Sequence, residues 1–216
     1  MRFPRFRRAR RGYTLVEILV AISIVAAISA SAMLLIPMGQ EMSRRSQCQR
    51  NLTDLGALYQ LETFDQPGRS RYSGAGVLLA MRVESGRVKF GDEEKFLCPG
   101  DPNIVFPTTD GDRERWDDVD LHDVPDGLTS YAVRDFSRHA KGPGQRGVRK
   151  EVLAVDRQGD DGRTPHHDGG VNVLYADGAV KFLRRPELGL SADEPIVVGR
   201  ASVHPVLSTV TVRTAE

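Results

Sequence analysis

The sequence predicts an α+β protein in which one long N-terminal helix leads into a small domain of short antiparallel strands. From Tyr13 to Ile36 the only charged residue is Glu17, and an amphipathic pattern continues over residues 38–63. Both stretches are typical of helix. Beyond them, glycine, proline and aspartate recur between short apolar runs, as in strands joined by turns. A helix followed by such strands gives the α+β class.

Charge is distributed unevenly along the 216 residues, whose formal net charge is +1. Residues 1–12 contain no acid but six arginines, namely Arg2, Arg5, Arg7, Arg8, Arg10 and Arg11. Without them the acidic residues outnumber the basic ones, which argues against a uniformly basic nucleic-acid binder. By the positive-inside rule, the basic end is expected to stay in the cytoplasm.

The apolar run of residues 13–36 exceeds the roughly 20 residues needed to cross a bilayer. An ordinary signal peptide, cleaved near Ala30-Ser31-Ala32, would have a shorter apolar region that stops at its cleavage site. Here the run continues to Ile36. A permanent signal anchor fits the length and orientation, but it gives no reason for the charge of Glu17, which is costly inside a membrane.

A third interpretation accounts for Glu17. The run Arg11-Gly12-Tyr13-Thr14-Leu15-Val16-Glu17 resembles the N-terminal signal of type IV prepilins, including type II secretion pseudopilins. The resemblance implies cleavage between Gly12 and Tyr13 by prepilin peptidase and N-methylation of Tyr13. It also implies other pilin or pseudopilin subunits and the secretion or pilus assembly machinery as partners. Tyr13 replaces the usual phenylalanine, which bears on methylation more than on cleavage.

Glu17 then acquires a physical role in assembly. A charge in a low-dielectric bundle of helices needs an opposite charge beside it, and cleavage creates an α-ammonium group on Tyr13. Residues 13 and 17 are about one turn apart in a single helix. Between subunits, the same pair of charges would fix the axial stagger of the helices.

The elements after the membrane segment can be placed from patterns. Pro37 is expected to kink the helix, which should end at Asp65-Gln66-Pro67-Gly68. A short helix is expected over residues 76–83. Strands are predicted at residues 130–133, 152–155, 171–175, 179–183, 196–198 and 208–212. Asp177-Gly178 is expected to form a tight primed turn with positive φ angles between two of them.

A second resemblance lies in the C-terminal half. His167, nine further residues and Asp177-Gly178 resemble the H-X9-DG signature of a prepilin-processing-associated family. The segments beginning at Cys48, Phe96, Ser130 and Leu153 also resemble it. The predicted organisation is a cleaved leader (1–12), a transmembrane helix (13–36), its amphipathic continuation (37–63), an extracytoplasmic domain (64–185) and a C-terminal extension (186–216).

Candidate chemistry in this domain is limited. Asp156, His167 and Asp177 could bind a divalent ion or act in hydrolysis, but the sequence has no nucleophile motif and no zinc-type spacing. The favoured interpretation is structural, with Asp177 in the turn and His167 fixing the loop before the hairpin. We therefore expect no catalytic residue, no enzyme activity and no cofactor.

Calcium is a separate possibility, because some pseudopilins of this resemblance bind it in a C-terminal loop. Calcium needs six to eight oxygen ligands. Asp156, Asp160 and Asp161 are the candidates, and a second acidic stretch lies at Asp110, Asp112, Asp117, Asp118, Asp120, Asp123 and Asp126. Neither has the spacing of a calcium-binding hand loop, so a solvated acidic surface is the favoured interpretation.

The two cysteines, Cys48 and Cys98, both follow the apolar span. A disulfide between them is compatible with an extracytoplasmic compartment and would stabilise the fold by roughly 4 kcal/mol in the chain-entropy model. Two unrelated buried thiols are the alternative.

Together these observations predict a structural subunit, more typical of a minor than of a major one, in a type II secretion or type IV pilus-like filament. It would span the inner membrane once, with its C-terminal domain in the periplasm. The alternative is a membrane-tethered binding protein or metal-dependent hydrolase that uses a pilin-type signal for localisation.

Overall fold

The computed structural model describes residues 13–65, 74–84, 92–101, 118–122, 128–136, 151–156, 169–199 and 204–211, and the positions 72, 86, 88, 124, 167, 201 and 202. The leader, residues 1–12, lies outside them, as do Asp160, Asp161 and most of the acidic stretch between 110 and 126. The chain divides into two compact units, residues 1–40 and 41–216.

The first element is a single helix, α1, which runs from Leu15 to Asp65 and contains Pro37. In the first unit, its large apolar side chains are exposed, among them Leu15, Ile18, Leu19, Ile22, Val25 and Ile28. Among the described residues, this is the one helix long and apolar enough to cross a membrane. The predicted long apolar helix is therefore confirmed.

The second unit is built on a five-stranded antiparallel sheet with the order β4-β3-β2-β1-β5. The strands are β1 (Tyr131–Arg134), β2 (Val152–Asp156), β3 (Gly170–Tyr175), β4 (Val180–Arg184) and β5 (Val210–Thr211). A short helix, α2 (Ala75–Val83), and 3-10 turns at Glu93–Phe96, Arg185–Leu188 and Leu207–Thr209 complete the described elements. The predicted α+β pilin-like class is confirmed.

The C-terminal half of α1 packs on one face of this sheet. Cys48, Leu52, Leu55 and Tyr59 are buried at spacings of three and four residues, which place them on one side of a helix. The first hydrophobic core joins them to α2, to the segment around Phe96 and to the inner residues of the sheet. The amphipathic pattern of the sequence therefore marks the face of α1 that carries the domain.

The other face of the sheet is covered by the C-terminal segment. A second core joins residues of β1, β2 and β3 to Leu188, Ile196, Leu207 and Val210. We expected residues 186–216 to be an extension outside the domain; in the structure, the described part of this segment closes the second core and supplies β5. Residues of β1, β2 and β3 are buried on both faces as a result, whereas those of the edge strand β4 are half-buried or exposed. Burial on both faces is why the sequences of the inner strands alternate so little.

This packing makes a testable prediction for Ile196. Its side chain is 1% exposed, so Ile196→Ala should lower the free energy of unfolding of the domain by about 2–5 kcal/mol, as truncations of buried aliphatic side chains do. Urea unfolding followed by circular dichroism measures the change. Leu52→Ala, in the first core, is the matched comparison, and a near-zero effect of Ile196→Ala alone would show that the segment does not pack on the sheet.

Several predicted strands need correction. Residues 196–198 do not form a strand, although Ile196 is buried. In the last predicted strand, 208–212, residues 208 and 209 belong to the 3-10 helix Leu207–Thr209, and Val210–Thr211 form β5. Residue 212 lies outside the described residues. Apolar content alone suggested strands there, because sequence cannot separate a buried loop from a strand of similar composition.

The β3–β4 hairpin is present, but its turn differs from the expected one. Gly178 has φ +85°, and none of the described non-glycine residues, Asp177 included, has a positive φ. The Gly178 amide donates to the Tyr175 carbonyl, and the Tyr175 amide donates to the Ala179 carbonyl. Only Gly178 is left-handed, at the end of a three-residue connection. A type I′ turn at Asp177-Gly178 would need a positive φ at both residues, and a type II′ turn would need it at the first.

Candidate functional sites: the N-terminal turn and a buried cluster

The first candidate site is the start of α1, where Thr14 and Glu17 form a reciprocal cap. The Thr14 amide and hydroxyl both donate to the Glu17 carboxylate, at 2.8 and 3.0 Å, and the Glu17 amide donates to the Thr14 hydroxyl oxygen at 3.2 Å. Such a capping box satisfies amides that the first helical turn leaves without partners. Glu17 therefore has a local partner within its own helix.

Thr14 is a residue that the sequence analysis missed. The signature Thr-X-X-Glu at positions 14–17 indicates a capping box and is the signal by which the sequence identifies Thr14. Tyr13 is exposed at the start of the described chain. Gly12, the other half of the predicted cleavage site, lies outside the described residues.

The second candidate site is a group of four buried side chains in the domain, each from a different segment. Cys48 lies on α1, Cys98 follows the 3-10 turn at Glu93–Phe96, and Asp156 is the last residue of β2. His167 lies just before β3 and pairs with Gly170, the first residue of that strand. All four are at most 1% exposed. One ligand atom from each lies within 4.8 Å of the ligand atoms of the others.

Hydrogen bonds connect these groups in two pairs. The Cys48 thiol donates to Asp156 Oδ1 at 2.8 Å, and Cys98 Sγ lies 3.2 Å from His167 Nε2. His167 Nε2 also lies 3.9 Å from Asp156 Oδ2. The four side chains thus form one contiguous polar centre inside the domain.

A second layer of groups orients this centre. Glu41 Oε1 lies 2.9 Å from His167 Nδ1, on the ring edge away from the cysteines. The Asn172 amide donates to Asp156 Oδ2 at 2.8 Å, and the Tyr131 hydroxyl lies 3.6 Å from Cys48 Sγ. Glu41 therefore fixes which nitrogen of the imidazole faces the cluster.

Burial shifts the pKa values of the cluster. It raises the pKa of Asp156 to about 6, with Cys98 adding to the rise, while His167, Cys48 and the Asn172 amide oppose it. Burial alone would lower the pKa of His167, but Cys98, Asp156 and Glu41 raise it to about 9. Burial also raises the pKa of the Cys48 thiol well above its usual range.

The structure brings together two of the three residues considered as a possible metal or hydrolytic site. Asp156 and His167 lie together, whereas Asp177 is in the exposed turn at the other end of β3, where its carboxylate accepts from the Ala179 amide. Six residues of strand separate the two ends by about 20 Å. A joint site of Asp156, His167 and Asp177 is therefore excluded by the fold.

The two cysteines are brought to the same place, and they are not joined by a disulfide in the structure. The disulfide remains a prediction. That the cysteines share a site with Asp156 and His167 was not predicted, because the four residues are far apart in sequence. One clue was present: Cys48, Cys98, Tyr131, Asp156 and His167 each belong to a different segment of the second resemblance, and the fold brings these segments together.

The composition of the centre limits its chemistry. Two sulfurs, one imidazole nitrogen and one carboxylate could hold a metal ion that accepts soft and borderline ligands, or the sulfurs could join in a disulfide. With the four side chains closed off from solvent, no substrate can reach them in this conformation. Asp156 offers a single carboxylate among ligands that calcium does not favour.

Comparison with known proteins bears on the first site. The family model described as the prokaryotic N-terminal methylation motif matches residues 7–33. No curated protein and no solved structure matches the chain. The motif, the exposed apolar helix that begins within it and the small antiparallel sheet together support a type IV prepilin-like protein with a pilin-like α+β fold.

Proposed function

We propose that the chain is a pseudopilin, a minor structural subunit of a type II secretion or type IV pilus-like filament. Prepilin peptidase removes residues 1–12, and the new terminus on Tyr13 is methylated. The single observation that carries this proposal is the match of residues 7–33 to the methylation motif. In pilin-type proteins in general, such a motif goes with peptidase processing and assembly with other pilin subunits.

The first unit supports assembly through its surface. From Leu15 to Met38, large apolar side chains stand exposed along the helix. A helix that is hydrophobic all round normally lies in a protein core or in a membrane. A bilayer before assembly and parallel neighbouring helices afterwards would each cover this surface. The continuous helix also links the anchor covalently to the sheet domain.

Topology follows from charge. The arginine-rich leader stays cytoplasmic by the positive-inside rule, so the helix crosses the inner membrane once and the sheet domain lies in the periplasm. After processing, the domain would be displayed on the filament surface. The domain sequence is rich in glycine, proline and aspartate between short apolar runs. Such a loop-rich domain favours a minor subunit, whose domain contacts partners, over one repeated along the whole filament.

The alternative of a tethered hydrolase finds little support in the buried cluster. A catalytic metal keeps one coordination position open to water or substrate, whereas all four side chains here are at most 1% exposed. A binding function elsewhere on the domain is compatible with the same anchor.

Mass spectrometry of the chain from cells that contain prepilin peptidase tests the proposal. We expect a product that begins at Tyr13 and carries the mass of one added methyl group. Cells with an inactive peptidase are the matched control and should retain residues 1–12. A chain that keeps Met1 to Gly12 in both strains, or one cleaved near Ala32, would overturn the proposal.

A further inference from the structure

We propose that Cys48, Cys98, Asp156 and His167 bind one zinc ion in a closed, structural site at the centre of the domain. The inference does not depend on the filament function, because it rests on residues of the second unit alone.

The spacing of the four donor atoms fits a tetrahedral ion. Metal–ligand bonds of about 2.0–2.3 Å place neighbouring ligands of a tetrahedral zinc site about 3.3–3.8 Å apart. Cys48 Sγ lies 2.8 Å from Asp156 Oδ1, and Cys98 Sγ lies 3.2 Å from His167 Nε2. One ligand atom from each of the four residues lies within 4.8 Å of the others. Shifts of the side-chain atoms by up to about 1 Å would bring these separations to the tetrahedral values.

The donor types select the metal. Two thiolates and an imidazole suit zinc and related transition metals, whereas calcium and magnesium require oxygen ligands. Zinc with Cys48, Cys98 and Asp156 ionised and His167 neutral leaves one net negative charge. A site of four cysteines, common among structural zinc sites, leaves two, so this charge is acceptable.

The surrounding groups are those of a metal site. Histidine ligands usually donate their second ring N–H to a carboxylate, which fixes the tautomer that leaves the other nitrogen free to bind. Glu41 occupies this position at 2.9 Å from Nδ1, leaving Nε2 directed at Cys98. The Asn172 amide holds Asp156 Oδ2 in the same manner, leaving Oδ1 directed at Cys48.

Zinc also explains why such a polar centre lies in a hydrophobic core. Buried titratable groups are costly unless they are paired or coordinate a metal, and here Cys48 and Cys98 belong to the same core as Leu52 and Phe96. An ion bound by four segments would tie α1 to the sheet and to the loop at Cys98. A disulfide would involve the two sulfurs alone, and Asp156 and His167 would then have no metal ion to bind.

The experiment uses the full-length chain, purified in detergent, reduced and freed of metal with a chelator. We expect one Zn²⁺ per chain on reconstitution, measured by elemental analysis, and a higher melting temperature.

Co²⁺ in its place should show visible bands of a tetrahedral ion and a near-ultraviolet thiolate-to-cobalt band. Cys98→Ser should lose much of the thiolate band, and Glu41→Gln should weaken affinity about 10–100-fold, as loss of a group that orients a ligand does.

Asp177→Asn is the matched control, because Asp177 belongs to the same hairpin but lies in its exposed turn; zinc affinity should not change. Failure of the folded, reduced wild-type chain to bind Zn²⁺ near one equivalent would overturn the inference, whatever the variants do. Co²⁺ bound without the thiolate band, or equal affinity in Glu41→Gln, would also contradict it. So would a Cys48–Cys98 disulfide whose reduction restores no metal binding.

Discussion

A Glu17→Gln chain is expected to be cleaved and methylated normally but to enter filaments at least about tenfold less than the wild type. Glutamine at this position can still close the capping box with Thr14, so the start of α1 is preserved. The substitution removes only the negative charge, and the α-ammonium group of Tyr13 then enters a low-dielectric bundle without an opposite charge. The measurement is the fraction of tagged chain that sediments with sheared filaments.

Thr14→Val is the complementary control. It removes the hydroxyl that both donates to the Glu17 carboxylate and accepts from the Glu17 amide, yet it keeps the charge and the shape of the side chain. We expect nearly normal incorporation. The reverse pattern, with Glu17→Gln tolerated and Thr14→Val defective, would show that Glu17 acts as a helix cap and not as a charge partner for the terminus.

The second large effect is expected at Gly170, where β3 begins. A Cβ atom there would lie 2.3 Å from the Leu183 carbonyl oxygen and 2.7 Å from the Phe182 ring. The Leu183 carbonyl belongs to the backbone of β4, so it cannot move aside as the end of a flexible side chain can. Gly170→Ala should therefore destabilise the domain by roughly 3 kcal/mol, at the upper end for overpacking. Urea unfolding of the full chain in detergent measures this loss.

The adjacent Gly169 provides a matched control. It has φ +75°, but no atom lies within 4 Å of an added Cβ. Gly169→Ala should therefore lower the free energy of unfolding by only about 1–2 kcal/mol, the cost of a left-handed conformation for a residue with a side chain. If the two substitutions were equally mild, the β3–β4 pairing at Gly170 and Arg184 would have to be wrong. Because Gly170 also pairs with His167, Gly170→Ala should weaken zinc binding as well.

Much of the fold could be predicted from local pattern. The continuous helix, the strands near residues 131, 152, 171 and 180, and the Asp177-Gly178 hairpin each follow from periodicity or turn chemistry within a few residues. Errors arose where burial came from distant parts of the chain. Ile196, for example, lies in the core that covers one face of the sheet and does not pair within the sheet.

Of the two candidate sites, one could be predicted from neighbouring residues and the other could not. The N-terminal motif is local, since the leader, the aromatic residue and the acid follow one another closely in the sequence, and a match over residues 7–33 supports it. The cluster of Cys48, Cys98, Asp156 and His167 is not local, and the sequence offered its members as an isolated cysteine pair and as part of a different triad. Only the pairing of β2 with β1 and β3 places Asp156 beside Tyr131 and Asn172.

By itself, the amino-acid order determined that this protein has a basic leader, an apolar helix with one acid near its start, and a sheet-forming C-terminal region, because each is a property of neighbouring residues. Tertiary structure alone decided that the last segment completes the domain and that four remote side chains share one buried centre. Such contacts depend on how separate elements pack, and the residues that make them carry no common spacing along the chain.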